Sequence, residues 1–325
     1  MSKNPTLVRV SVPAMGSLFE IYLGGDEATS LEHLGREALE RVRWWETRLN
    51  HFDPQSDISQ INANALHNAF PVPSDLFALL QTLRKLSEQT EGAFDCTTGQ
   101  LVRLWGLFRQ GTLLEERVKP PDTTTLQQIV QEIGWQKVEL DSTQQTIRFH
   151  TPAVSLHLGA IGKGYVVDIV ADFLRNKGVD CALIQSGFSS LYAIGSPPGQ
   201  EGWRVGIADP LDETRSVAQV VLRDVALSTS GSAESLQSTD GDPVSHIFDP
   251  RTGLPVSRRG SVSVLSPDAT TGEAFATAFF VQGEAWTAQF CQANPHIEAL
   301  FVEPQPETVL PTLTGYGATA RRFVL

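Results

Sequence analysis

The chain has 325 residues, 41% apolar and 19% charged, enough for a large core that needs no disulfide or metal to hold it. With 25 basic against 37 acidic side chains, a net −12, it lacks the basic surface expected of a nucleic-acid-binding protein. Cys96, Cys181 and Cys291 are too dispersed for a disulfide framework or a CxxC metal site, no apolar run reaches membrane-span length, and no leader h-region is visible, so a cytoplasmic location is expected.

Val8–Val12 and Leu18–Leu23 read as strands around Pro13–Gly16. Thr29 and Glu32 have capping-box spacing ahead of a helix carrying Leu31, Leu34, Leu39 and Val42. His51–Asn62 is a polar loop entering a short helix, and Ser74 is placed to cap a helix that ends near Gly92. Thr123–Gly134 is a third helix, followed by a hairpin of Lys137–Leu140 and Thr146–His150. Val154–Ile161 reads as an apolar strand running into Gly162-Lys163-Gly164 and a helix that ends at Gly178. Short strands follow at Ala182–Gln185, Leu191–Ile194, Trp203–Ala208, Ala218–Leu222 and Val262–Leu265. Helices at Gly272–Gln282 and Glu284–Ala293 then precede a strand at Glu298–Val302. Strands and helices without regular βαβ alternation predict an α+β fold. A single domain over 1–325 is expected, with its weakest joint at Phe108–Thr123, which holds Pro120-Pro121.

Four segments carry candidate chemistry. In LHLGAIGKGYVVD (Leu156–Asp168) a glycine turn and Lys163 open a helix, an arrangement that suits an anion as well as it suits a plain turn. The spacing is not that of a Walker A loop. HIFDPRTG (His246–Gly253) concentrates polar groups beside ordinary turn chemistry. Glu273 and Thr277, at i and i+4 of a helix, offer a carboxylate and a hydroxyl on one face, suited to a hard cation, although the spacing alone favours an exposed glutamate. Thr90–Gly106 places Asp95 and Thr97 beside Phe94 and Trp105, and a core turn with an Asx bond explains it equally well.

Taken in order, PAMGSLFEIYL, HFDPQSDISQIN, GAFDCTTGQLVRLWG, LGAIGKGYVVD, WRVGIADP, ALSTSG, HIFDPRTG-LPV and EAFATAFFVQG resemble the blocks of one family, the ApbE-type FAD:protein FMN transferases, over about residues 8–285. The resemblance implies an α+β fold of two sheet-and-helix halves, a T-fold-like duplication, with FAD in the cleft between them. It implies Mg²⁺-dependent transfer of FMN from FAD to a Thr or Ser hydroxyl of a target flavoprotein, with release of AMP. The alternatives are a non-catalytic FAD-binding protein and a Mg²⁺-dependent FAD pyrophosphatase. By the same resemblance Mg²⁺ is held by Glu273, Thr277 and the carbonyl of Ala160. Met15, Phe52, Ala93, Phe94, Asp95, His157, Lys163 and Ile247 line the FAD site, and His246 and Asp249 handle the proton or orient the incoming hydroxyl. The chain departs from the family pattern at four places. His157 replaces the aspartate of "DLG", Gly187-Phe188-Ser189 replaces "GGD", Ser230-Gly231-Ser232-Ala233-Glu234 lacks the aromatic of "SGnYe", and Glu273 replaces an aspartate one methylene shorter. A histidine near a pyrophosphate is expected to gain a proton, so FAD affinity is expected to rise as pH falls.

Overall fold

The structure is a computed structural model and describes residues 6–107, 119–232, 235–237, 243–305, 310–317 and 323–324. The chain forms two compact units, one of Met1–Glu46, Ile161–Ala233 and Arg259–Leu325, the other of Thr47–Ala160 and Glu234–Arg258. Residues 108–118, which make up most of the joint expected at 108–123, lie outside the described ones.

The first unit is built on an eight-stranded antiparallel sheet. Its strands are β1 (Thr6–Ala14), β2 (Ser17–Gly25), β3 (Cys181–Ser186), β4 (Ser190–Gly195), β5 (Val225–Gly231), β6 (Ser261–Ser266), β7 (Glu298–Glu303) and β8 (Thr312–Tyr316), and they lie side by side in that order. The helices are α1 (Ala28–Leu49), α2 (Gly162–Asn176), α3 (Ala269–Gln282) and α4 (Glu284–Ala293). Read along the chain, these elements make the run ββααββ twice, β1–β4 with α1 and α2, then β5–β8 with α3 and α4. The repeated run is consistent with the duplication that the sequence resemblance implies. The two runs join edge to edge, with β4 paired to β5 through Leu191↔Leu227.

Both faces of the central strands are covered, so the strands carry little of the alternation that marks a half-exposed sheet. One face, with Leu183, Leu191, Leu227, Leu265 and Leu300, packs against Trp203, Ile207, Val220 and Leu222 of a small sheet formed by Trp203–Asp209, Asp212–Leu222 and Phe323–Val324. The helix-facing positions include the small, fully buried Ser186, Ser190, Ser228 and Ser266. A Cβ on Gly272 of α3 would lie 2.6 Å from Ser266 Oγ and 2.7 Å from Ser228 Oγ, so glycine against serine lets this helix lie close to the sheet. Apart from Thr271 and Thr277, the positions of α3 from Ala269 to Phe280 are buried, as its all-round apolar sequence requires.

The second unit holds helices Asp57–Asn64, Ser74–Gln89, Gly99–Leu104 and Thr123–Glu132, and a sheet of Phe70–Pro71, Val138–Asp141 and Thr146–Phe149. Leu101, Trp105, Leu126, Ile133, Ala153 and Val244 form one of its cores.

Three local expectations are corrected. Val154–Ile161 makes only a single bridge, Thr98↔Ser155, because its backbone groups bond to the 96–99 turn and to Asn62, whose side-chain amide pairs with both the N–H and the carbonyl of Leu156. α1 begins at Ala28, so Thr29 lies inside it and is not its cap. Ser74 opens its helix but makes no cap bond, and its hydroxyl donates to Gln145 instead.

Candidate active site

In the first unit, the candidate residues gather where the N-terminal turns of α2 and α3 meet. The residue before α2, Ile161, has no side chain able to cap it. Its orphan amides therefore need an acceptor from elsewhere. Glu273 of α3 supplies one, its Oε2 accepting from Gly164 N–H at 2.8 Å while Ser190 Oγ–H donates to Oε1. The α2 terminus, which the sequence reads as suited equally to an anion or to a plain turn, thus already holds a carboxylate of the protein itself. Gly164 is required here, since a Cβ would lie 2.5 Å from Ala269 O and 2.9 Å from Glu273 Oε2.

Glu273 is buried, not exposed as its spacing alone suggests. Burial raises its pKa above the usual glutamate value, and the charge of Lys163 and the bonds from Ser190 and Gly164 work against that rise. Lys163 is half-buried and its Nζ donates to Ser189 Oγ at 2.8 Å. Thr277, one turn beyond Glu273, has its hydroxyl 3.2 Å from that of Ser230. The donors available to a cation here are a buried carboxylate and hydroxyls, hard oxygens of the kind Mg²⁺ takes together with retained waters. No group of three or more His, Cys, Asp or Glu suited to a metal exists among the described residues. The oxygens therefore fit a sparsely liganded hard cation and not an all-protein cage.

Met15 belongs to the same unit. With Gly16 it forms the two-residue β1–β2 turn, at φ of 53° and 70°, and its N–H donates to Glu46. A non-glycine residue held in the left-handed region is the kind of local strain that accumulates at ligand sites.

The remaining candidates lie in the second unit. Phe52, His51 and His157 form a row of rings, with centroids 4.0 Å and 4.6 Å apart. Desolvation, with the charge of Arg103 adding to it, lowers the pKa of His51 to about 4. Desolvation, with the charges of His51 and Arg103, lowers that of His157 to about 3. His51 and Arg103 also line a cavity of about 250 Å³ with Asn62, Gln100 and Ser155. Ala93 and Phe94 are core side chains, each 1% exposed. Asp95 heads an Asx turn, Oδ1 accepting from Thr97 N–H at 2.6 Å, and burial raises its pKa.

In the HIFDPRTG loop, Asp249 is committed to structure. Its two oxygens accept from Arg251 Nε and Nη2 at 2.8 and 2.9 Å, and its carbonyl accepts from Gly253 N–H. His246 is exposed and Ile247 is buried. Ala160 is exposed and is the last residue before the chain enters the first unit. Sequence reasoning missed Ser189, Ser190, Ser230, Asp168 and the His51–Arg103 pair. Of these, only Ser190 lay outside every segment already singled out: Asp168 ends LGAIGKGYVVD, His51 opens HFDPQSDISQIN, Arg103 lies in GAFDCTTGQLVRLWG, and Ser189 and Ser230 belong to stretches that depart from the family pattern. Ala233 and Glu234, in the altered "SGnYe" block, lie outside the described residues.

Residues 15–301 match the model of the ApbE family. The chain belongs to this family. Among similar proteins, the FAD:protein FMN transferase of Vibrio cholerae is 30% identical over 302 residues, spanning 88% of this chain and 85% of the relative. That of Klebsiella pneumoniae is 28% identical over 281 residues, 86% and 85% of the two chains. Among solved structures, the ApbE protein of Thermotoga maritima superposes with a TM-score of 0.84 at 25% identity, covering 98% of this chain and all of that one. The flavin transferase ApbE of Vibrio cholerae gives 0.80 at 26% identity, with the same coverage. No helix among the described residues of this family member is long and apolar enough to cross a membrane.

Proposed function

We propose that this ApbE-family chain transfers FMN from FAD to a Ser or Thr hydroxyl of an acceptor protein. The hydroxyl oxygen attacks the FMN-side phosphorus, the pyrophosphate P–O bond to AMP breaks, AMP leaves, and FMN stays on the acceptor as a phosphodiester. The observation that carries this reading is the cluster at the meeting of α2 and α3, with Lys163, Glu273 and Thr277 in a chain whose relatives bear the transferase name.

Phosphoryl transfer is mainly positioning and charge stabilisation. Lys163, held by Ser189, supplies a fixed positive charge for the pyrophosphate. Glu273 and Thr277 would hold Mg²⁺, with the carbonyl of Ala160 added by the resemblance. A bound Mg²⁺ supplies Lewis-acid stabilisation of phosphoryl oxygens. Phe52 and the neutral His157 offer flat surfaces to FAD, and Met15, Ala93–Asp95 and Ile247 present backbone and apolar surface to it. His246 is the better candidate to take the hydroxyl proton, because the carboxylate of Asp249 is already paired with Arg251. Asp249 then orients the loop that carries His246.

The test is to mix the protein with FAD and Mg²⁺, with and without an acceptor bearing an accessible Ser or Thr, and to follow AMP and covalently bound flavin. AMP together with acceptor-linked flavin is expected. AMP without labelled acceptor would indicate a pyrophosphatase, and bound FAD with no AMP a carrier. Either result replaces this proposal.

A further inference from the structure

Asp168 lies on α2, one turn beyond Gly164, and takes no part in the chemistry described above. Its Oδ1 accepts from Ala269 N–H at 2.7 Å, and its Oδ2 accepts from Thr270 N–H at 2.8 Å and from the Thr270 hydroxyl. Asp268 takes the next amide of the same terminus, Thr271 N–H, at 2.7 Å. α3 thus begins with its first two amides closed by a carboxylate from α2, while α2 has its third amide closed by Glu273 of α3. The contacts run in opposite chain directions, 164 with 273 and 168 with 269 and 270, so the helices meet antiparallel and each caps the other. Gly164 sits at the crossing, and the carbonyl of Ala269 occupies the space a side chain would need.

We propose that Asp168 is a positioning residue for the transfer reaction, since the cap it places on α3 sets the register in which Glu273 and Lys163 face one another. The inference rests on the transfer reading for the reaction itself, but its content is geometric. Three donors converge on one half-buried carboxylate, and a one-turn lever separates that carboxylate from Glu273. A slide or rotation of α3 relative to α2 breaks both caps at once, so the position of the Glu273 oxygens is tied to the Asp168 bonds. Desolvation raises the pKa of Asp168 to about 7, and the bonds from Thr270 and Ala269 work against that rise.

The decisive experiment compares wild type with Asp168→Asn and with Thr270→Val. The first leaves an amide facing donors, and the second removes a single hydroxyl bond while keeping shape and both backbone bonds. Two quantities are read well below the melting temperature of each variant. One is Mn²⁺ affinity in the presence of FAD, from the electron paramagnetic resonance signal of free Mn²⁺. The other is the kcat and KM for FMN transfer. Changes to groups that orient a metal ligand cost about 10–100-fold, so Asp168→Asn is expected to weaken Mn²⁺ binding and lower kcat by about tenfold or more, with the KM for FAD little changed. Thr270→Val should move both in the same direction by a smaller factor and serves as the readout if Asp168→Asn does not fold. Lowered melting temperatures with unchanged Mn²⁺ affinity and kcat would reduce Asp168 to a structural cap and overturn the proposal, as would wild-type protein that binds no Mn²⁺. If wild type binds Mn²⁺ and releases no AMP, yet the variants lose Mn²⁺, the transfer reading fails while the positioning role stands.

Discussion

Replacing Glu273 by Gln separates the structural duty of this side chain from its chemical one. Glutamine has the same shape, so no cavity opens. Its carbonyl can keep the bond from Gly164 N–H, and its NH₂ can donate to Ser190 Oγ, a hydroxyl free to turn from donor to acceptor. What is lost is the charge assistance of two bonds, about 1–2 kcal/mol in all when bonds to charged groups are compared with neutral ones. What is regained is the cost of holding a charge in a buried site, a cost visible in the raised pKa of Glu273. The two nearly cancel, and the net change in stability should stay within about 1 kcal/mol, a melting shift of about 2–4 °C or less. The pH dependence has a definite sign. A carboxyl whose folded pKa lies above its unfolded value of 4.5 contributes stability in full below that value and loses it as pH rises through the folded pKa. Wild type should therefore gain on Glu273→Gln in acid and fall back toward neutrality. FMN transfer and Mg²⁺ dependence should drop by more than the 10–100-fold that is roughly the effect of changing groups behind a ligand. Urea unfolding from pH 4 to 8, run beside the AMP-release assay, measures both. A loss above about 3 kcal/mol would refute the reversed Ser190 bond, and undiminished Mg²⁺-dependent transfer would remove Glu273 from the metal site. Glu273→Asp is instructive in the opposite sense. It restores the family residue, yet a side chain one methylene shorter cannot keep both Gly164 N–H and Ser190, so here it should cost stability without the gain in activity that the family pattern alone suggests.

Other outcomes follow from the same geometry. Lys163→Ala should weaken FAD by about 1–3 kcal/mol, or 5–150-fold, and leave riboflavin binding nearly unchanged in calorimetric titrations; equal losses for both ligands would assign Lys163 to packing. Gly164→Ala forces a Cβ to 2.5 Å from Ala269 O, so a stability loss of about 1–3 kcal/mol is expected, and an unaltered denaturation midpoint would contradict the close helix crossing. His51 and His157, held neutral with pKa values of about 4 and 3, contribute stability that is complete above their unfolded value of 6.5 and is lost as pH falls. The acid limb of the stability profile should therefore flatten in a His51→Gln, His157→Asn double variant. Because bound FAD would have to raise the pKa of His157 by more than two units for it to titrate even at pH 5.5, FAD affinity should be flat between pH 5.5 and 8.5. A rise toward acid that His157→Asn abolishes would restore the expectation read from the sequence.

Much about this protein follows from its sequence by local rules. The apolar spacing in α1 buries Ala38, Leu39, Val42, Trp45 and Leu49 along one stripe, and the glycine–lysine opening of α2 does start a helix. The ordered blocks over about residues 8–285 carry the family resemblance, and the family model matches residues 15–301. The strand β5, ALSTSG, escaped the periodicity reading because its helix-facing positions are serines, whose burial depends on neighbours and not on hydrophobicity. Val154–Ile161 looked like a strand because it is apolar, but Asn62, more than 90 residues away, took the backbone groups a ladder needs. Only the tertiary structure decided what Glu273 and Asp168 do. Their partners lie 109 and about 100 residues distant, and spacing on one helix says nothing about which helix crosses it. Helix propensity, turn chemistry and amphipathic period act within a few residues of themselves. The reciprocal caps form because closing the core brings two helix termini with unsatisfied amides against each other, and a buried amide must find an acceptor wherever the fold has placed one.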